Sequence, residues 1–157
     1  MTGPKKLALV TALATAIAVP AEGLRQYAYR DPVGIPTICF GATHGVKLGD
    51  VATVDQCRTM LTRDMLNAIQ TVDTCRPGLP PAVLAAFADA AYNLGATVAC
   101  DSARSTAARK LADKDYIGAC NELPKWDKAR IAGVMTTLPG LTKRRAVERD
   151  LCLSGIA

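Results

Sequence analysis

Long apolar runs separated by short polar, glycine-rich intervals set the outline of this chain, and the period inside each run predicts its element. Leu7-Ala8-Leu9-Val10-Thr11-Ala12-Leu13-Ala14-Thr15-Ala16-Ile17-Ala18-Val19 has no polar face, and Pro20-Ala21 closes it. It predicts a first helix over 7–24, with Pro20 as a candidate break. Over 27–49 the apolar runs vanish and Gly34, Gly41, Gly45 and Gly49 recur as turn points, which predicts a small β-hairpin or meander. Thr53-x-x-Gln56 has the form of a capping box and starts an amphipathic helix over 53–72, with Met60, Leu61, Met65, Leu66 and Ile69 on one face. Such a helix can join a small sheet lobe to a helical one. Arg76-Pro77-Gly78-Leu79-Pro80-Pro81 is a turn, and Pro81 suits the first position of the next helix. That helix runs to about Leu94, is apolar on several faces, and is expected at the buried centre. Further helices are expected near 105–112, 115–123 and 141–153, with Pro139-Gly140 breaking the chain before the last. The pattern predicts a mixed α+β fold, mainly helical.

Composition narrows the picture. The 157 residues suit one domain, and half of them are hydrophobic, enough for a real core. Aromatics are only 4%, so an alanine-, leucine- and valine-rich core of packed helices is favoured over a sandwich. The net charge of +5 and pI near 9.0 suit an anionic partner. Nucleic acid is disfavoured, because no basic helix carries interleaved aromatics. Anionic lipid and an anionic polymer remain, bacterial cell wall with its lactyl and peptide carboxylates being such a polymer, and the plainer reading is that a modest positive charge only keeps the protein soluble. Among the six cysteines no C-x-x-C pair occurs, and one histidine cannot complete a common zinc set, so no metal and no cofactor are expected. An even cysteine count behind an export-like N-terminus, Lys5-Lys6 before the apolar run, favours disulfides in an oxidising compartment over buried free thiols.

The candidate chemistry lies in one short stretch: Glu22, eight residues, Asp31, five residues, Thr37. Cleaving a polysaccharide calls for two carboxyl groups in unlike surroundings, one keeping its proton for the leaving oxygen and the other ionised to activate water or attack the sugar. Glu22 falls at the end of an apolar helix, where desolvation favours the protonated form. Asp31 falls in a wetter, hairpin-like stretch rich in Tyr, Arg, Gly and Pro. Three common surface residues can share a spacing by chance, so the rest of the chain has to carry the argument.

It does so through an ordered succession of motifs. Glu22-x8-Asp31-x5-Thr37 resembles the phage-type lysozymes of glycoside hydrolase family 24. Ala91-Tyr92-Asn93-Leu94-Gly95 resembles the aromatic-Asn-hydrophobic-Gly stretch of that family's central helix. Ser105-Thr106 with Lys110-Leu111, then Trp126, Gly140-Leu141, Arg144-Arg145 and Glu148, resemble the motifs that follow, so the likeness covers about 20–155. One departure is Ala42, where the family often has histidine. The only histidine here is His44, expected in a loop.

The resemblance implies a two-lobed lysozyme-like fold with a small β-hairpin lobe and a larger helical lobe. It implies hydrolysis of the β-1,4 bond between N-acetylmuramic acid and N-acetylglucosamine in peptidoglycan, with Glu22 as general acid, Asp31 as base or electrostatic stabiliser, and Thr37 holding the water. Inversion is implied too, with the carboxyl groups about 6.5–9.5 Å apart. A monomer is expected. Closeness in the expected fold suggests the pairing Cys39–Cys57, Cys75–Cys100, Cys120–Cys152 out of fifteen connectivities. Arg144 or Arg145 is a candidate partner for Glu22, against the plainer reading of a solvated helix face. Tyr27 and Tyr29 are candidates to stack on sugar, and Trp126 is expected in the core.

For the N-terminal segment three readings compete: a cleaved signal peptide, an ordinary core helix, and the signal-anchor-release segment of some phage endolysins. Thirteen apolar residues reach roughly 20 Å against a hydrocarbon core of about 30 Å, so insertion is weak and reversible. Cleavage near Ala18 or Ala21 would strip the first helix that the family places before the glutamate. The anchor reading is preferred: 1–21 a releasable segment that refolds as the first helix, 22–157 the catalytic domain, first at the periplasmic side of the host inner membrane and then in the periplasm. Rival functions are a non-catalytic exported wall-binding module and a lytic transglycosylase, which needs only a glutamate.

Overall fold

The structure, a computed structural model, describes residues 3–156. Its first helix, α1 (Pro4–Glu22), has proline in its first turn, where a missing N–H costs nothing. It begins earlier than 7 and runs unbroken through Pro20. Pro20 stands in the last turn, and the carbonyl it fails to reach belongs to Ala16 on the exposed face, where water can satisfy it. Val10, Ala14, Ile17 and Ala18 bury the opposite face.

Two strands follow, β1 (Arg25–Arg30) and β2 (Pro36–Cys39), paired antiparallel with Tyr29 opposite Thr37 and Arg30 opposite Pro36. Val51 bridges Tyr27 on the other side of β1, so the expected meander is real and extends to Ala52, whose N–H donates to the Gln26 carbonyl at 2.9 Å. The capping box forms as expected: Thr53 Oγ1 accepts from the Gln56 N–H at 3.1 Å and Gln56 Oε1 accepts from the Thr53 N–H at 2.8 Å. It opens α2 (Val54–Cys75), one turn longer at its C-terminal end than the pattern predicts. Leu61, Met65, Ile69 and Val72 are buried, whereas Leu66 is exposed against the outer side of α1.

The predicted centre is α3 (Pro81–Leu94), with every residue from Ala82 to Ala91 buried. Alanine at most of these positions lets α1, α2 and the C-terminal helix pack onto it from different sides. Then come α4 (Thr97–Cys100), α5 (Thr106–Ala112) and α6 (Tyr116–Glu122). Ser105 and Asp115 cap the last two by accepting from Ala108 and Gly118 N–H groups. A hairpin of β3 (Lys128–Ile131) and β4 (Val134–Thr137) leads into α7 (Pro139–Ser154). Pro139 therefore starts this helix and does not break the chain before it. Trp126, expected in the core, lies half-buried at its edge.

All three disulfides have the expected pairing. Cys39–Cys57 fastens β2 to α2, Cys75–Cys100 joins the end of α2 to α4, and Cys120–Cys152 joins α6 to α7. The hairpin of β1 and β2 forms the small lobe and the helices around α3 the larger one.

Candidate active site

Glu22 is the last residue of α1, Asp31 follows the last residue of β1, and Thr37 is the second residue of β2. These three elements bring the three side chains to one cleft of about 370 Å³, which is also lined by Tyr29, Gly41, Tyr92, Asn93, Leu141 and Lys128. Every predicted site residue is therefore in the cleft. Of the two tyrosines weighed for sugar stacking, Tyr29 borders it, while Tyr27 is 72% exposed and outside it. His44 is exposed and borders a different depression, near Arg63 and Asp64.

The surroundings of Glu22 differ from the apolar ones expected. Arg144, on α7, donates from Nη1 to Glu22 Oε1. The same guanidinium donates from Nε to Asp89 Oδ2 at 2.9 Å and from Nη2 to Asp89 Oδ1 at 2.8 Å. Burial of Arg144 works against its charge, but the carboxylates of Asp89 and Glu22 outweigh that and raise its pKa, so it stays a cation. The solvated-face reading of Arg144 and Arg145 fails, since they are only 4% and 0% exposed. Arg145 donates from Nη2 to Asn93 Oδ1 at 3.0 Å and to Glu148 Oε1 at 2.5 Å. Gly41 closes over the acid from the hairpin side. A Cβ there would stand 2.7 Å from Glu22 Cδ and 2.8 Å from Oε2, and its φ of +86° suits glycine.

Asp31 is held in a different manner. Its Oδ1 accepts from the N–H groups of Val33 at 3.0 Å and Ile35 at 2.9 Å, within the turn between β1 and β2. The carboxylate is fixed by the turn it closes, and Oδ2 takes no hydrogen bond from the described residues. Thr37, 3% exposed, donates from Oγ1 to the Ile35 carbonyl at 2.9 Å. With its proton committed, the hydroxyl offers only lone pairs to the cleft.

The two cleft phenols hold their protons firmly. Burial, then the nearby charge of Glu22, raises the pKa of Tyr92, whose hydroxyl donates to the Phe40 carbonyl at 2.5 Å. Burial followed by Glu22 raises Tyr29 as well. Ala42, at the position where histidine is common, is buried and exchanges two backbone hydrogen bonds of 2.9 Å with Ile38. The backbone alone fixes that turn. Asp89 escaped the sequence reading although it carried a signal: it is the single charge in the otherwise apolar run from Ala82 to Ala91, and a fully buried carboxylate must have a partner.

A cleft between a hairpin lobe and a helical lobe, with one carboxyl at a helix end and a second at a hairpin turn, defines a glycosidase of the lysozyme type. The phage lysozyme family model matches residues 20–148, and the chain belongs to that family. It is similar to the SAR-endolysin of Pseudomonas phage phiKMV, 37% identical over 147 residues, covering 93% of this chain and 88% of that one. It is also 37% identical over 131 residues to the endolysin of Acyrthosiphon pisum secondary endosymbiont phage 1, covering 83% and 88%. The fold resembles the active form of the P1 phage endolysin Lyz with a TM-score of 0.78 at 24% identity, covering 100% of this chain and 97% of that one. The chain is a muramidase hydrolase, a peptidoglycan-lysing endolysin.

Proposed function

We propose that Glu22 donates the proton to the leaving sugar oxygen while Asp31 and Thr37 hold the attacking water on the opposite side of the anomeric carbon. The observation that carries this reading is the complementary hydrogen bonding of the site. Asp31 Oδ2 and Thr37 Oγ1 present only acceptors, so they orient a water with its lone pair outward. Asp31 takes a proton from that water as the C–O bond forms, and Glu22 protonates the departing oxygen. Direct attack by water inverts the anomeric carbon. A lytic transglycosylase has no use for a water-holding pair, and a wall-binding module has no use for the acid.

Replacing Glu22 by Gln tests the assignment. The amide keeps the shape, can still accept from Arg144, and has no acidic proton. Purified, folded Glu22→Gln is expected to lose 10²–10⁴-fold in kcat on peptidoglycan, about the usual weight of general acid catalysis. Turnover near that of the parent would refute the assignment. Mass analysis of the parent's digest is expected to give reducing muramic ends, and anhydro ends would show transglycosylation.

The segment 1–21 acts, in this reading, as a releasable membrane anchor for the catalytic domain 22–157. The enzyme is held at the periplasmic side of the host inner membrane and then freed, as a monomer, into the periplasm. Supporting this, α1 has 19 residues, and an 18-residue stretch of it has a mean hydropathy of 1.3, long and apolar enough by length and composition to cross a membrane. At 1.5 Å per residue the helix is about 28 Å long, but Lys5, Lys6 and Glu22 fall at its ends and its apolar run 7–19 reaches only roughly 20 Å of a hydrocarbon core of about 30 Å, which suits a weak, reversible hold. Residue 22 ends that helix, so a membrane-held α1 would keep Glu22 at the bilayer face, away from Arg144. Activation is then the docking of α1 beside α3 and α7.

A further inference from the structure

Behind the acid lies a buried charge cluster that the reaction as written does not use. Asp89 on α3 and Arg144, Arg145 and Glu148 on α7 are each 4% exposed or less. Arg144 has three nitrogens. Asp89 takes two of them in a bidentate pair, and only Nη1 is left for Glu22. A guanidinium gripped along one edge by a carboxylate has its plane fixed, because both parallel N–H bonds must be kept. The position of Nη1, and with it Glu22 Oε1, is set from α3.

The cluster also fixes how charge is shared. Glu148 accepts from Arg145 through Oε1, while its buried Oε2 has no donor among the described residues. Burial, then the hydrogen bond with Asp89, pushes the Glu148 carboxyl well above the ordinary carboxylate range. Other groups around Glu22 are Tyr92 on α3, Tyr29 on β1, Asp31 at the hairpin turn and Lys128 across the cleft. Among the described residues two other carboxyls face Glu22's own cation: Asp89 grips it by two hydrogen bonds, and Glu148 Oε1 stands 3.8 Å from its Nε.

We propose that Asp89 is a positioning residue for proton transfer: by occupying the Nε and Nη2 edge of Arg144 it orients Glu22 and keeps that arginine's charge from being spent on Glu22 alone. A general acid must arrive protonated, and a cation that belonged wholly to it would strip the proton. Asp89 divides that cation and leaves Glu22 a single hydrogen bond. The inference rests on Glu22 being the acid.

The test is the pH dependence of kcat/KM on peptidoglycan for Asp89→Asn beside the parent and Glu22→Gln. Asparagine keeps the shape and one acceptor but not the charge. The falling alkaline limb is expected to move to lower pH by about one unit, since Arg144 then has Glu22 as its main anion. At the parent's optimum kcat is expected to drop roughly tenfold or more with KM changed less than about twofold. An unshifted limb in folded Asp89→Asn, whatever its activity, overturns the proposal. An active Glu22→Gln would instead overturn the assignment of the acid. If Asp89→Asn does not fold, Asp89→Glu keeps the buried charge and carries the test. The longer carboxylate is expected to leave the limb where it is and lower kcat by tilting the guanidinium. Full parental kcat in Asp89→Glu would show that the geometry of Arg144 does not matter.

Discussion

Gly41 has no side chain because the carboxyl of Glu22 occupies that space. Gly41→Ala would place a methyl 2.7 Å from Glu22 Cδ in a backbone region of φ +86°. The acid would have to leave its hydrogen bond to Arg144. Gly41→Ala is expected to lose at least about tenfold in kcat and about 1–3 kcal/mol of stability from backbone strain. Kinetics on peptidoglycan together with chemical denaturation would check both, and unchanged kcat would mean that Glu22 need not lie against the turn. On the proposed water side, Asp31→Asn removes the carboxylate assigned as base, and Thr37→Val removes an acceptor while keeping the branched shape. Asp31→Asn is expected to cost about 10²–10⁴-fold in kcat, and Thr37→Val less. Full activity in Asp31→Asn would refute the paired-carboxyl mechanism. At this scale the sequence was informative about which side chains share the cleft and weak about what supports them. Glu22, Asp31 and Thr37 stand in a short spacing that a reader can see. The Arg144 partner could only be raised as an option, because residues 122 positions apart meet only through the packing of α1 against α7.

Elements with strong local signals were legible for local reasons. Thr53 and Gln56 form the capping box that their spacing predicts, and Pro81 starts α3. The hairpin of β3 and β4 was missed because its strands have four residues each, β4 is exposed throughout, and its turn is Ala132-Gly133. Both turn residues take positive φ, 48° and 82°, as a type I′ turn demands, but alanine at the first is not a usual signal for it. On α7, Arg145 and Glu148 lie three apart, and nothing in that interval tells a buried pair from a solvated one. Burial has a thermodynamic consequence. Glu148 stays protonated in the folded chain at pH values where the unfolded chain has ionised it. Its contribution is thus fully present below the ordinary value of 4.5 and declines as pH rises towards the raised folded value, by about 1.4 kcal/mol per unit. Glu148→Gln presents the same donor and acceptor without a proton to lose. Its stability relative to the parent is expected to increase from about pH 5 to pH 8 in urea denaturation. Parallel pH profiles would mean that Glu148 is ionised in the fold.

Across the whole molecule, the proposed anchor role asks one helix to satisfy two environments. Facing inward, α1 buries Val10, Ala14, Ile17 and Ala18 against the larger lobe. Facing outward, Ala8, Leu9, Ala12, Ala16 and Val19 remain exposed. The apolar run without a polar face was visible in the sequence. That its outer side would be left uncovered in the folded enzyme was not, because coverage depends on which neighbours α3 and α2 bring. Small side chains reconcile the two demands: alanine packs closely against α3, costs little when exposed, and is only weakly held by lipid.

That balance can be shifted without touching the folded core. Ala12 and Ala16 are exposed on folded α1, whereas Ala14 is 0% exposed and a leucine there would overpack the lobe. Ala12→Leu with Ala16→Leu strengthens insertion by roughly half a kcal/mol for each leucine. A total near 1 kcal/mol moves the partition towards the membrane by about fivefold. In cells expressing the double variant, membrane fractions are expected to hold correspondingly more of the protein, and lysis should come later than with the parent. Soluble double variant should turn over peptidoglycan at the parent's rate, because both substitutions face water in the docked helix and Glu22 meets Arg144 as before. Slow turnover in that soluble form would point to damage in the fold and remove the partition argument. Equal partition of parent and double variant, with equal lysis times, would show that α1 does not act as an anchor. A parent found only in soluble form and shortened at Ala18 or Ala21 would identify it as a cleaved leader.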